Sequence, residues 1–206
     1  AHEVNNSMAG VNSTLDTVAS MLEEESDDAL HATADVLRVC QERCMTMSRF
    51  ITSYADVVKI PEANLMLTDL NERVYACKEF MESMCNERDI RLHVQLCDEC
   101  VQVKIDNVLF EQALVNILKN AIESIGSDGD VYITTTAKPA TLTIADNGAG
   151  ISPDIEYKLF SPFFSSKPNG QGLGLIFISD VLTKHNCLFS LRTCDDGLTR
   201  FSIRFK

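Results

Sequence analysis

The sequence predicts an α+β protein, in which an N-terminal antiparallel helical hairpin precedes a two-layer α/β sandwich with helices on one face of a mixed sheet. Up to Val58, apolar residues recur in steps of three and four, the spacing of a coiled-coil seam. Beyond Pro61, long helical patterns alternate with strand-like runs. Because proline disfavours helix in the residue before it, we expect domains at 1–61 and 62–206.

Two apolar seams form the predicted hairpin, one from Val4 to Leu22 and one from Leu30 to Val58, with the acidic stretch 23–29 between them. One hairpin alone has too little apolar surface to bury. We therefore expect two copies to associate as a homodimeric four-helix bundle. A hairpin that packs against the rest of its own chain is the alternative.

The second domain carries both helical and strand patterns. Helical spacing is clearest at 70–84 and 107–126, and a further helix is expected from Gly172 to about His185. Strand character is found at 90–96, 131–136, 141–145, 188–193 and 199–205.

The composition excludes several classes of function. With 30 acidic against 18 basic residues and a net charge of −12, the chain lacks the broad basic surface that nucleic-acid binding requires. No apolar run reaches the roughly 18–20 residues that span a bilayer, and no leader is visible, so we expect a cytoplasmic fragment. The eight cysteines are scattered without a disulfide-rich spacing, so we expect reduced thiols. The Cys97–Cys100 pair has no second pair with which to bind zinc.

Chemistry concentrates first on the helix at 107–126. Asn116 and Asn120 are one turn apart beside its apolar stripe. Carboxamides can offer oxygen to a hard cation and N–H groups to phosphate. A plain polar surface is the alternative interpretation of this pair.

The stretch TLTIADNGAGI follows. Period-two alternation places Asp146 on the core-facing side at the end of a strand, where a buried carboxylate needs donors. The amino group of an adenine ring could supply one, and Gly148 and Gly150 would let the backbone approach a planar base closely. An Asn-Gly turn capped by Asp146 is the alternative.

A long loop, 151–169, leads into GQGLGL. Gly170, Gly172 and Gly174 precede an apolar helical segment, and free N–H groups at a helix start can bind phosphates. Lys167 adds a positive charge. The pattern is not a Walker A loop, and a flexible hinge without ligand is the alternative.

The ordered motifs NILKNAIES, DNGAGI, LFSPFF, SSK and GQGLGL resemble the N, G1, F and G2 boxes of the sensor histidine kinase ATP-binding domain, a member of the GHKL ATPase superfamily with the Bergerat fold. HEVNNSMAGV resembles the H box of the dimerisation and phosphoacceptor domain of two-component sensors. The resemblance therefore covers essentially the whole chain.

The resemblance implies a binding site for ATP and Mg²⁺. Asn120 would ligate the metal, Asn116 would support the phosphates, Asp146 would accept from the adenine amino group, and Gly148 and Gly150 would flank the base. Residues 151–171 would form an ATP lid anchored by Phe160, Phe163 and Phe164. The implied nucleotide contacts are completed by Lys167, Gly170, Gly172, Leu173, Gly174 and Thr199.

The same resemblance implies that His2 is the phosphorylated nucleophile and that Glu3 orients it and acts as general base. Asn6 would guide water in a reverse, phosphatase reaction. The phosphoryl group would pass to an aspartate in the receiver domain of a response regulator, and no nucleic acid is expected as a partner. His31, His93 and His185 have no ligand-spaced partner, which favours surface or capping positions.

Two other classes of function remain open. The chain could be a GHKL ATPase without histidine phosphotransfer, although such ATPases carry a glutamate base where this sequence has Asn116. It could also be a degenerate, nucleotide-binding dimeric scaffold. The resemblance further implies an upstream sensor domain missing from this chain, and it is compatible with an inner-membrane anchor in the full-length protein.

Overall fold

The computed structural model describes residues 2–23, 30–31, 33–45, 60–161, 164 and 173–206. The chain divides into two compact units, Ala1–Ile60 and Pro61–Lys206. Within the described parts, no helix has the length and apolarity that crossing a membrane requires. All eight cysteines are free thiols.

The first unit contains helix α1 (His2–Glu23) and helix α2 (33–45). Asp16 of α1 accepts a hydrogen bond from Gln41 Nε2 at 3.4 Å and lies 3.9 Å from Arg38 Nη1, so the two helices lie side by side. Ala19 and Ala34 are buried. The end of the second predicted seam, 46–58, lies outside the described residues.

The second unit has the predicted α+β architecture with a mixed five-stranded sheet in the order β2-β4-β5-β7-β6. Its strands are β2 (Ile90–Gln95), β4 (Gly129–Ala137), β5 (Ala140–Asp146), β6 (Leu188–Thr193) and β7 (Thr199–Arg204). Strands β2 and β4 are parallel, whereas the other pairs are antiparallel. Strands β1 (Met66–Asp69) and β3 (Gln102–Ile105), which the sequence did not predict, form a separate antiparallel pair.

Three helices pack their apolar residues into one core with the inward-facing residues of the sheet. They are α3 (Leu70–Asn86), α4 (Asn107–Ile125) and α6 (Gly174–Lys184), and a short helix α5 (Pro153–Glu156) follows β5. Alternate residues of β4 are buried, so one side of the strand faces this core and the other faces outwards. The predicted two-layer arrangement is therefore confirmed for this unit.

Asp106 and His185 join the start of α4 to the end of α6. Asp106 is the N-cap of α4 and accepts the amides of Val108 and Leu109, and that of Asn64 from the preceding segment. Its own amide donates to Nε2 of His185 at 2.9 Å, while Nδ1 of His185 lies 2.7 Å from the Val181 carbonyl oxygen. His185 therefore caps a helix, but it does so from the buried interior rather than from the surface.

Candidate nucleotide-binding site

Asp146 ends β5 on the inward face, as the alternation predicts. It is 6% exposed, and Leu142 and Ile144 on the same face are also buried. Its register partners are Val131 on β4 and Thr199 on β7. Asp146 Oδ1 accepts the amide of Gly148 at 3.0 Å, so the loop turns around the carboxylate. Buried carboxylates of this kind are suited to receive a donor from a ligand.

The loop 147–151, here called the G1 loop, is pinned to the last turn of α4. The amide of Ala149 donates to the carbonyl oxygen of Ser124 at 3.2 Å. A Cβ atom on Gly148 would lie 2.6 Å from the carbonyl carbon of Ser124 and 2.8 Å from Asp146 Oδ1. Only glycine therefore fits at this position without moving the loop or the helix.

Asn116, Asn120 and Ser124 follow one another at intervals of four, which places them on one flank of α4. Ser124 contacts the G1 loop, so Asn120, four residues earlier, lies about 6 Å along the helix axis from that contact. Asn116 Nδ2 donates to the carbonyl oxygen of Gln112 at 3.0 Å. The tertiary fold thus brings the carboxamide flank and the buried carboxylate to the same end of the sheet.

Asn147 and Asp130 clamp the beginning of the G1 loop to β4. Asn147 Oδ1 accepts the amide of Asp130 at 2.8 Å, and Asn147 Nδ2 donates to Asp130 Oδ2 at 3.3 Å. Asp130 also accepts two hydrogen bonds of 2.8 Å from Arg91 and lies 2.6 Å from His93 Nε2. The Arg91 guanidinium, and then His93, hold the pKa of the Asp130 carboxyl well below its usual range. His93 also stacks on Tyr132.

Thr193 and Thr199 hold the other end of the G1 loop. Thr193 Oγ1 accepts the amide of Ile151 at 2.7 Å and lies 2.9 Å from Thr199 Oγ1. Thr199, which the resemblance implicates, is 4% exposed. Gly150, which precedes Ile151 in the G1 loop, has φ +77°, a conformation that favours glycine. Sequence reasoning missed Thr193, although its alternation with Leu191 and Phe189 places it on the same inward face.

The described part of the G2 motif is the start of α6. Leu173, its N-cap residue, is buried and makes no side-chain capping bond, which leaves the first-turn amides of α6 without that acceptor. Phe160 packs edge-on against Phe189 and Phe201, with ring centroids 5.3 and 6.3 Å apart. Other predicted contacts lie outside the described residues, namely Phe163, Lys167, Gly170 and Gly172.

Residues 105–206 match the family of histidine kinase-, DNA gyrase B-, and HSP90-like ATPases. The sensor histidine kinase ZraS of Escherichia coli O157:H7 is 24% identical over 205 residues, which cover 98% of this chain and 44% of the relative. The C4-dicarboxylate transport sensor protein DctB of Rhizobium meliloti strain 1021 is 26% identical over 210 residues, or 100% of this chain and 33% of the relative. These similarities support a sensor histidine kinase with an ATP-binding domain of the GHKL type.

Solved structures agree with the fold of this chain. A mycobacterial sensor histidine kinase, MprB, is 28% identical with a TM-score of 0.59 over 68% of this chain and 96% of the other. The complex of histidine kinase ThkA with response regulator protein TrrA has a TM-score of 0.66 at 20% identity and covers 100% of this chain and 60% of the other. The second unit therefore has the fold of a GHKL-type ATP-binding domain.

The chain spans less than half the length of the curated relatives named above. The backbone of His2, Glu3 and Asn6 lies in α1, but their side chains lie outside the described residues, so the roles implied for them stay predictions.

Proposed function

We propose that this chain is the transmitter core of an ATP-dependent protein-histidine kinase, which phosphorylates His2 and passes the phosphoryl group to an aspartate of a response-regulator receiver domain. The observation that carries the proposal is the buried Asp146 at the end of β5, with the G1 loop pinned around it by Ser124 and Thr193. This site lies in a domain of an ATP-binding family whose curated relatives also match the first unit.

In the proposed complex, the adenine amino group donates to Asp146, and the small Gly148 and Gly150 allow the base to approach the backbone. Thr199 contacts the base through water. Lys167 and the amides at Gly170, Gly172, Leu173 and Gly174 hold the phosphates, with Asn116 supporting them. These roles follow the family resemblance, and the close packing at Gly148 and the uncapped start of α6 support them.

The proposed metal ligand is Asn120. Magnesium sites in phosphoryl-transfer enzymes use few protein ligands together with substrate phosphates and water, and an asparagine oxygen is a suitable donor. Among the described residues, no cluster of three or more His, Cys, Asp or Glu side chains could hold a metal, which fits a site completed by phosphate. Bound Mg²⁺ would neutralise charge that develops on the transferring phosphoryl group.

The proposed nucleophile is a neutral His2 imidazole. One ring nitrogen attacks the γ-phosphorus of ATP in line and forms a P–N bond as the bond to the bridging oxygen breaks and ADP leaves, while the N–H of the other nitrogen needs an acceptor that sets the tautomer and receives the proton. Glu3 supplies that acceptor, and the remaining contribution of the protein is positioning. Asn6 guides water in the reverse, phosphatase reaction, which is also proposed.

A homodimer through the first unit is part of the proposal. Val11 and Val18, two residues of the first predicted seam, are 46% and 40% exposed in the single chain. Burying such a seam against a second copy would remove apolar surface from water and complete a four-helix bundle. The ThkA complex contains a response regulator, and we propose a receiver of that kind as the partner here.

The alternative of a hydrolytic ATPase receives less support from helix α4. It carries Asn116 where such an enzyme would need a glutamate base, and asparagine cannot take a proton from water. The two glutamates of this helix already have cationic partners: Glu111 is ion-paired with Arg73 at 2.9 Å, and Glu123 lies 3.8 Å from Lys119.

The test incubates the full chain with Mg²⁺ and ATP that is radiolabelled on the γ-phosphate. We expect label on the protein that is acid-labile and base-stable, as a phosphoramidate bond is. His2→Gln should abolish it, while His31→Gln, which removes another histidine of the same unit, should retain it. Asp146→Asn should lose labelling because ATP no longer binds.

Each alternative gives a different result. Free phosphate without labelled protein would identify a hydrolytic ATPase and contradict the kinase proposal. Nucleotide binding with neither label nor free phosphate would identify a scaffold. Transfer is tested by adding a receiver domain, where label should move from the chain to an aspartate and fail to do so when that aspartate is replaced by asparagine.

A further inference from the structure

The Thr193 hydroxyl connects two parts of the candidate site that are far apart in sequence. It accepts the amide of Ile151 at the end of the G1 loop and lies 2.9 Å from the Thr199 hydroxyl. Thr199 is the register partner of Thr193 on one side and of Asp146 on the other. A single hydroxyl therefore ties the loop to the strand next to the buried carboxylate.

The surroundings hold this hydroxyl closely. A Cβ atom on Gly150 would lie 3.4 Å from Thr193 Oγ1, so the loop backbone passes directly over it. Thr199 is almost completely buried. The end of the G1 loop therefore cannot move away from Thr193 without breaking the hydrogen bond that the Ile151 amide donates to Thr193 Oγ1.

The Thr193 hydroxyl can serve both partners at once. Its oxygen accepts the Ile151 amide and still pairs with Thr199 Oγ1, because a hydroxyl has two acceptor positions as well as one hydrogen, and either threonine can donate to the other. Linked hydrogen bonds of this kind strengthen one another.

We propose that Thr193 is a positioning residue for adenine recognition, acting through Thr199 and the Ile151 amide to hold the G1 loop around Asp146. This inference rests on the proposed nucleotide-binding function. It predicts that Thr193 affects selection of the base, because the amino group that distinguishes adenine is the group that Asp146 receives.

The test measures the dissociation constants of ATP and inosine triphosphate with Mg²⁺ for the full chain by calorimetric titration. Inosine carries a carbonyl where adenine carries the amino group, so it cannot donate to Asp146. Thr193→Val should raise the ATP dissociation constant about tenfold, roughly the effect of one hydrogen bond, and should raise the inosine triphosphate constant less. Thr193→Ser, which keeps the hydroxyl, should retain the wild-type preference for ATP.

Thr143→Val is the matched control. Its hydroxyl lies 3.5 Å from that of Ser202 on the neighbouring strand, but on the outward face of the sheet. This variant should leave both dissociation constants unchanged. Thr193→Ala is the second hydroxyl-free variant if Thr193→Val folds poorly, since it places no carbon against Gly150.

An equal loss of affinity for both nucleotides in the hydroxyl-free variants would overturn the inference, because partial unfolding weakens both alike. A wild-type chain that binds neither nucleotide would contradict the inference and the proposed function together. If the wild type binds ATP without labelling His2, only the kinase proposal fails, and the ratio of the two constants still decides the role of Thr193.

Discussion

Gly148 lies where the G1 loop, helix α4 and the Asp146 carboxylate meet. The space that a methyl group would occupy is taken by Ser124 of α4, including a main-chain atom. Main-chain atoms cannot rotate away as a flexible side chain can. The close contact at Gly148 therefore sets the position of the G1 loop relative to the helix that carries Asn116 and Asn120.

Gly148→Ala should weaken ATP binding at least about tenfold, because either the G1 loop or the last turn of α4 must shift. Calorimetric titration with ATP and Mg²⁺ measures this change. Gly10→Ala in α1, where a Cβ atom meets nothing within 4 Å, is the control and should bind ATP as the wild type does. An alanine at 148 with unchanged affinity would show that the contact at Ser124 does not matter.

Asp130 holds the beginning of the G1 loop in place, because it forms two hydrogen bonds with the Asn147 carboxamide. Its carboxylate is in turn held by Arg91 in a bidentate pair. Since the pKa of Asp130 is lowered in the folded chain, its stabilising effect is fully present above the ordinary carboxyl pKa of about 3.9. That effect is lost as the pH falls through the folded-state pKa.

Asp130→Asn should therefore melt below the wild type at pH 6, and the difference should shrink as the pH falls below about 4. Circular dichroism melting curves between pH 3 and pH 6 measure it. Asp98→Asn is the matched control, since Asp98 forms no ion pair with another residue that the structure describes, and its curve should follow the wild type. A difference that stays constant with pH would mean that the carboxylate charge is unimportant.

Thr193, Ser124 and Asn147 show why part of the site could not be predicted. Each is a common polar residue whose importance comes from a partner distant in sequence, such as Ile151 for Thr193 or Gly148 for Ser124. Asp146, by contrast, could be placed from alternation alone. Local patterns indicate which face a residue occupies, but they do not indicate what lies opposite.

At the scale of elements, the start of α4 is held more strongly than the start of α3. Asp106 accepts three main-chain amides, whereas Asp69, the N-cap of α3, accepts one from Asn71. Burial on its own would raise the pKa of Asp106, but the amides of Leu109, Asn64 and Val108 outweigh it, and the pKa is lowered. Helix α4 carries the two asparagines proposed to bind phosphate and metal.

Asp106→Ala should lower the free energy of unfolding by about 1–2 kcal/mol, and Asp69→Ala by about 0.5–1 kcal/mol, since an N-cap is worth roughly that range. Urea unfolding followed by circular dichroism measures both. The contribution of Asp106 should also fade in acid, because its pKa is lowered and protonation removes an acceptor. Equal losses for the two variants would contradict this ranking.

The β1–β3 pair was missed because its two strands give unequal signals. Val103 and Ile105 of β3 are buried and alternate, but the strand is only four residues long. Met66 and Leu67 of β1 are exposed, so no burial pattern marks that strand. Short strands whose stability comes from pairing leave little periodicity to detect.

At the scale of the whole molecule, the first unit presents exposed apolar residues on both helices. Val11 and Val18 belong to the first predicted seam, whereas Val36, 63% exposed, lies off the second seam. A seam that is buried on association should tolerate charge poorly, and an off-seam position should accept it.

Val18→Glu should therefore convert the proposed dimer to a monomer, while Val36→Glu should leave the dimer intact. Light scattering coupled to size-exclusion chromatography measures the mass of each. Both variants introduce the same carboxylate on a helix, so a difference between them reports position rather than charge. A wild-type chain that is monomeric at micromolar concentration would contradict the dimer.

The sequence by itself determined the α+β class, the positions of the main helices and strands beyond Pro61, and the order of the nucleotide-binding motifs. These follow from periodicity and from residues that are close along the chain. The tertiary structure decided which residues meet around Asp146, because the strand order β2-β4-β5-β7-β6 brings β4 and β7 to either side of β5. Thr193, Ser124 and Asp130 reach the G1 loop only through that pairing and through the packing of α4, and no local pattern contains either.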